Sequence, residues 1–141
     1  MTDGPSTFDY RLLKTSWGIR IKLTAGVRPH AEDGPNAVPV GDGVWLVHGE
    51  GSSSLGDPEV RALAKGLGLV AGEVSAASGV GQVDVVLDTI SYLETDYQVE
   101  GLTAAMAGWA VERFGLSPRR FPVTFDRAAS RYVYDWNGQT D

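Results

Sequence analysis

The chain has 141 residues, 43% of them hydrophobic, with four tryptophans and a formal net charge of −6. That length and apolar content describe one folded domain with its own core and exclude a disordered tail. The acidic balance opposes nucleic-acid phosphates, and the lack of cysteine excludes disulfides, thiolate metal sites and cysteine nucleophiles.

Residues 1–7 are polar and contain Gly4 and Pro5, so a disordered start is expected. A single α/β domain is expected over residues 8–136, followed by a loose end at 137–141. The opening MTDGPSTFDY has neither a basic n-region nor an apolar h-region, so no secretory leader is expected. No apolar run approaches the length of a membrane span. A soluble, cytoplasmic protein is the expectation.

From residue 8 to 14 the pattern suits a strand, and Ser16-Trp17-Gly18 reads as a turn. Ile19, Ile21 and Leu23 then alternate with Arg20, Lys22 and Thr24, which predicts a hairpin with one solvated, basic face. Residues 27–43 carry three prolines and three glycines and read as a long surface loop with a short strand near 38–40. Val44–Val47, containing Trp45, is a short apolar strand, and residues 49–58, GEGSSSLGDP, read as a surface loop. Asp57-Pro58 resembles an N-cap with proline at the first helical position. Val60, Leu63, Ala64, Leu67 and Ala71 continue that helix on one face. Gly66 and Gly68 each cost about 1 kcal/mol against alanine, so the helix should end near Gly68. Residues 72–81 are compatible with a loop, a short helix or a strand.

The best-defined unit runs from 82 to 115. Val83, Val85, Leu87 and Thr89 alternate with Asp84, Val86, Asp88 and Ile90, as a half-buried strand requires. Thr95 or Asp96 with Gln98 forms a capping-box pattern. Val99, Leu102, Met106, Trp109, Ala110 and Phe114 then recur at helical spacing, with Arg113 in the last turn and Gly115 as the stop. Residues 121–125 and 131–136 read as a final hairpin turning at 126–130. These elements predict an α/β (α+β) two-layer sandwich, a mostly antiparallel sheet packed by two main helices.

The chemistry is sparse. The Gly/Ser loop 49–56 precedes a helix, so its backbone N–H groups are candidates for holding an anion. It lacks the lysine of a P-loop, and its glycines at 49, 51 and 56 do not make G-x-G-x-x-G. His30 and His48 lack metalloprotease spacing, so no metal or cofactor is expected. A two-histidine site with Asp33 or Glu50 is the alternative. Asp84 and Asp88 lie about 13 Å apart on one strand face. That is too wide for a glycosidase pair, which stands about 5 to 10 Å apart, so both read as solvated. Most aromatic residues belong to the core, but Tyr92 and Tyr97 flank the turn, where aromatic rings anchor interfaces.

The run GLVAGEVSAASGVGQVDVVLDTISYLETDYQVEGLTAAMAGWA resembles the second half of domain IV of bacterial elongation factor G. The matching features are Gly68, Gly72, the strand 83–89, Ser91-Tyr92, Asp96 and the helix from Gln98. GIRIKLTAGV resembles an earlier strand of that domain and PEVRALAKGL its first helix. The resemblance implies the ribosomal protein S5 domain 2-like fold and a domain that binds the ribosome without catalysing. The serine run of the 49–56 loop, by itself, is similar to the phosphate loop of small-metabolite kinases.

The expectation is therefore a small, acidic, non-enzymatic binding protein acting through protein contacts, in translation or as an immunity-type partner. Direct nucleic-acid binding and membrane association are not expected. Candidate binding residues are His48, Glu50, Ser52, Ser53, Ser54, Asp84, Asp88, Tyr92 and Tyr97. The alternative is a small enzyme or enzyme accessory with a pocket near His48, Glu50 and the 49–56 loop.

Overall fold

The structure, a computed structural model, describes residues 4–13, 18–30, 36–48, 55–79, 81–93, 97–117 and 121–136. Five strands form the main sheet: β1 (Ser6–Leu13), β2 (Gly18–Pro29), β3 (Ala37–Gly41), β4 (Val44–Val47) and β5 (Val83–Tyr92). Their order is β1-β2-β5-β4-β3, antiparallel except for the β4–β5 pair. Helices α1 (Asp57–Gly68) and α2 (Ala71–Ser78) make the crossover between those two parallel strands. Helix α3 (Glu100–Phe114) follows β5, and β6 (Val123–Asp126) with β7 (Arg131–Tyr134) forms a separate two-stranded sheet. The described residues form a two-layer α/β sandwich with three helices: the two main ones that the sequence pattern predicts and a short one in the small-residue stretch after Val70, which suits a loop, a short helix or a strand by sequence alone.

Alternation drives the sheet. Ile19, Ile21, Leu23, Ala25 and Val27 of β2 face a core that also holds Leu46, Val85, Leu63, Leu67, Leu102 and Trp109. Their neighbours Arg20, Lys22 and Arg28 are exposed on the opposite face, as the predicted hairpin requires. β1 starts at Ser6, inside the stretch expected to be disordered. It is tied to α3 there: Trp109 Nε1 donates to Ser6 O at 3.0 Å, and Arg113 donates to Gly4 O at 3.0 Å. β2 runs on to Pro29 and β3 occupies Ala37–Gly41, so both ends of the long loop expected over 27–43 are strand; residues 31–35 lie outside the described residues.

In β5, Ala25 pairs Leu87 while Thr24 pairs Thr89, leaving Asp88 as the extra residue of a bulge. The bulge changes the phase of the strand. Thr89, expected on the core side, is exposed, and Ile90 takes the core side opposite Leu23.

Two caps differ from expectation. The N-cap of α1 is Gly56 and not Asp57, so Pro58 sits at the second helical position. The N-cap of α3 is Val99, without a side-chain cap bond; Thr95 and Asp96 lie outside the described residues. The helix stops are as expected: α1 ends at Gly68, and Gly115 closes α3 at φ 63°. A Cβ at Gly66 would collide with Thr103 O, so this glycine lets α1 and α3 cross closely. Thr103 Oγ1 donates to Ala62 O at the same crossing, at 2.8 Å.

Candidate functional site

All three helices cover one face of the sheet, and the opposite face holds the most concentrated polar chemistry among the described residues. Asp84 lies at its centre. Strand pairing places it between Arg28 of β2 and Trp45 of β4. Arg28 Nε donates to Asp84 Oδ2 at 3.1 Å, and His30 Nδ1 lies 2.7 Å from Oδ1. The His30 ring stacks on Trp45 with centroids 3.6 Å apart and planes 7° from parallel. These neighbours roof the carboxylate: Asp84 is 1% exposed, against 10% for the His30 side chain and 47% for Arg28.

Asp84 is therefore not the solvated strand residue that alternation implies. It is a buried acceptor satisfied on both oxygens, which is how a carboxylate is accommodated away from water. An ionised carboxylate only accepts, so His30 carries its proton on Nδ1 in this pair. Asp88, by contrast, is exposed at the bulge, so the two aspartates do not act as a pair.

Further along the same face, Arg11 and Arg20 both reach Asp9 Oδ2, at 2.9 and 3.4 Å. The hydrogen bond from Arg11 holds the Asp9 carboxyl below the usual carboxylate range, with Arg20 adding to it. Lys22 stands between these groups and Ser91 and makes no ion pair among the described residues. A shallow hollow beside it is lined by Arg20, Lys22, Ser91, Tyr92 and Leu93. Leu93 is 68% exposed and Tyr92 is 38% exposed. Tyr92 stacks on Tyr97 at 4.0 Å, and burial pushes the Tyr97 phenol up to about 12.

His48 is separate. It follows Val47 at the end of β4, half-buried, and its backbone N–H donates to Asn36 O at 3.0 Å. His30 N bonds Gln82 O at the other end of β5, which sets the two histidines on the order of 15 Å apart along the strand. Glu50, Ser52, Ser53 and Ser54 lie outside the described residues. Among the described residues no three His, Asp or Glu side chains converge to hold a metal ion, and no helix is long and apolar enough to cross a membrane.

A second concavity, of about 650 Å³, opens at the β1 edge between β1, α3 and the β6–β7 hairpin. Phe8 and Leu12 form one wall, Ala104 and Val111 the second, Phe121 and Val123 the third. Tyr10 and Tyr134 also line it, their hydroxyls hydrogen-bonded to each other at 2.8 Å. Burial pushes both phenols up, so both are neutral at ordinary pH.

Arg28 and Trp45 escape a reading of the sequence, and His30 is weighed there only with His48 and Asp33 or Glu50, because β2 and β4 meet only through β5, more than fifty residues after Arg28. The one local signal is the placement of Arg28 and His30 on either side of Pro29, two charged or polar groups of equal phase at a strand end. The cleft has no local signal, since its three walls come from distant segments. No protein-family model matches the chain, and no curated protein sequence matches it either.

Proposed function

We propose that this chain is a non-enzymatic binding protein that docks a protein partner on the helix-free face of its sheet. The observation that carries the reading is the end of that face. Leu93 offers exposed apolar area beside Lys22, Tyr92 borders it from the core side of the strand end opposite Ile21, and Asp88 adds an exposed carboxylate on the same strand. An exposed aromatic and aliphatic pair rimmed by charge is the composition of an interface core with its polar rim. Asp84, toward the opposite end of β5, is buried beneath Arg28 and His30 and takes no part in contact. In the translation reading, which rests on the elongation-factor resemblance, the partner is the ribosome. In the immunity reading it is a single protein.

The test is an affinity pulldown from native lysate with wild-type protein, Leu93→Asp, Lys22→Glu and His48→Ala. The expected result is a stoichiometric partner held by wild type and His48→Ala and lost by the other two. A set of ribosomal proteins, released by salt, selects the translation reading. Retention of the partner by Leu93→Asp and Lys22→Glu sinks this docking surface.

One observation favours an enzyme as the second reading: a carboxylate orients an imidazole at 2.7 Å, the arrangement general-base catalysis uses. The site then moves from His48 to His30. Loss of the cellular function in His30→Gln, with the fold intact and Leu93→Asp active, favours that reading over docking.

A further inference from the structure

The cleft between β1, α3 and the C-terminal hairpin is not used by the proposed docking face, and its chemistry is of another kind. Its volume, about 650 Å³, falls within the range of about 300–1,000 Å³ typical of small-molecule sites. Three elements converge on it, and each contributes apolar side chains. Among the described residues that line it the one cation is Arg11, which reaches Asp9 at 2.9 Å. The neutral phenols of Tyr10 and Tyr134 add no charge. An ionic ligand would therefore lose its hydration and find no uncommitted counter-charge among the described lining residues.

The tyrosine pair makes the site more specific. Each hydroxyl holds one proton and two lone pairs. Their mutual hydrogen bond uses one proton and leaves the other, and neither hydroxyl has a further partner among the described residues. A spare donor in apolar surroundings calls for an acceptor. We infer that this cleft is a binding site for a neutral, largely apolar small molecule carrying a carbonyl or ether oxygen. The ligand packs its body against Phe8, Val111 and Phe121 and accepts a hydrogen bond from the Tyr10–Tyr134 pair.

One wall is the hairpin, a separate two-stranded sheet docked by side chains and not by strand pairing to the main sheet. Gln98 holds Tyr132, Glu100 pairs with Arg131, and Lys65 sits 5.5 Å over the Trp136 ring. The ties at Tyr132 and Arg131 lie at the α3 N-terminal end of the hairpin, and the third reaches Trp136, whose ring packs edge-on against Phe121 at 5.1 Å.

The experiment uses the full chain and the neutral naphthalene ketone 6-propionyl-2-dimethylaminonaphthalene as fluorescent probe. Saturable one-to-one binding with a blue-shifted emission is expected. Val111→Trp and Thr124→Trp fill the cleft from opposite walls, and each should weaken binding at least tenfold while circular dichroism stays native. Two variants guard against one failing to fold. In competition against the probe, 2-acetylnaphthalene should displace it about tenfold better than 2-ethylnaphthalene, the value of one hydrogen bond. The double variant Tyr10→Phe/Tyr134→Phe, which removes both hydroxyl protons, should erase that preference. Absence of probe binding, or binding that both filled variants retain, overturns the site. A monomer–dimer equilibrium abolished by Val111→Trp, without probe binding, reassigns the cleft to a second copy and overturns it too. Binding without preference for the ketone overturns the assigned ligand class.

Discussion

Gln98 grips Tyr132 as a neighbouring strand would: its Nε2 donates to Tyr132 O at 2.7 Å, and its Oε1 accepts from Tyr132 N at 2.8 Å. One side chain thus satisfies both backbone groups of a buried residue in β7 and fixes the hairpin to the entry of α3. Removing it leaves a buried donor and acceptor unmet, a cost of about 1–3 kcal/mol. Gln98→Ala is expected to raise hydrogen exchange of the β6–β7 amides while those of β2 and β5 stay protected. Equal loss of protection across the chain would show that the hairpin does not open by itself.

Asp84 is expected to be the most sensitive carboxylate among the described residues. Asp84→Asn weakens the Arg28 and His30 bonds and buries an amide in their place, costing about 2 kcal/mol; the half-exposed Arg28 keeps the loss from being larger. Asp88→Asn, at an exposed bulge, should stay within about 0.5 kcal/mol of wild type. Urea unfolding of both variants checks the contrast. Equal midpoints would mean that the network contributes nothing to stability.

Gly108 and Phe8 are in tight register. A Cβ built at Gly108 would stand 2.5 Å and 2.6 Å from two atoms of the Phe8 ring. Gly108→Ala should therefore cost about 1–3 kcal/mol by overpacking, despite improving helix propensity. Combined with Phe8→Leu, the two effects should fall short of their sum, because the smaller side chain makes room. Additive losses in a double-mutant cycle would place the strain elsewhere.

Tyr97 links stability to alkaline pH. Its phenol, ordinarily near 10, is pushed up to about 12 by burial, with Tyr92 and nearby Glu59 and Glu100 adding to the shift. The folded chain thus keeps a proton that the unfolded chain releases. The stabilisation is complete below about pH 10 and is lost as pH rises through about 12. Tyrosinate absorbance should show a late-titrating component that Tyr97→Phe removes, together with a shallower alkaline loss of stability. Buried Tyr10 and Tyr134 titrate late for the same reason and remain in that variant.

Local order was legible where local rules decide it. The β1–β2 alternation, the Gly68 and Gly115 stops, and the apolar stripe of Leu102, Met106 and Trp109 follow from spacing alone. What failed was non-local. Gln98 looks like the second half of a capping box, yet a tertiary partner offers it a donor and an acceptor together. Ala104 and Ala107 are buried although they are not on the stripe, because neighbouring elements flank α3 beyond its core-facing side. Asp84 shares the alternation phase of a solvated residue, and only the register with Arg28 and Trp45 shows that its face is roofed. Of the nine candidate site residues, Tyr92 and Tyr97 meet as a stacked pair, Asp84 joins a network with residues not on that roster, and His48 stands apart.

The strand order has a consequence for how this molecule can be divided and built. The β1–β2 and β3–β4 hairpins share no strand pairing; β5 lies between them and pairs with both. A nascent chain that has emerged only as far as residue 82 thus carries two half-sheets with unpaired inner edges, and neither can align with the other. The last strand to join the main sheet is its keystone, and its arrival turns two independent ribbons into one surface. Assembly is delayed until more than half the chain exists, and contacts of such long sequence separation slow folding. Any split of this protein for complementation should cut after Tyr92, where the sheet is already whole.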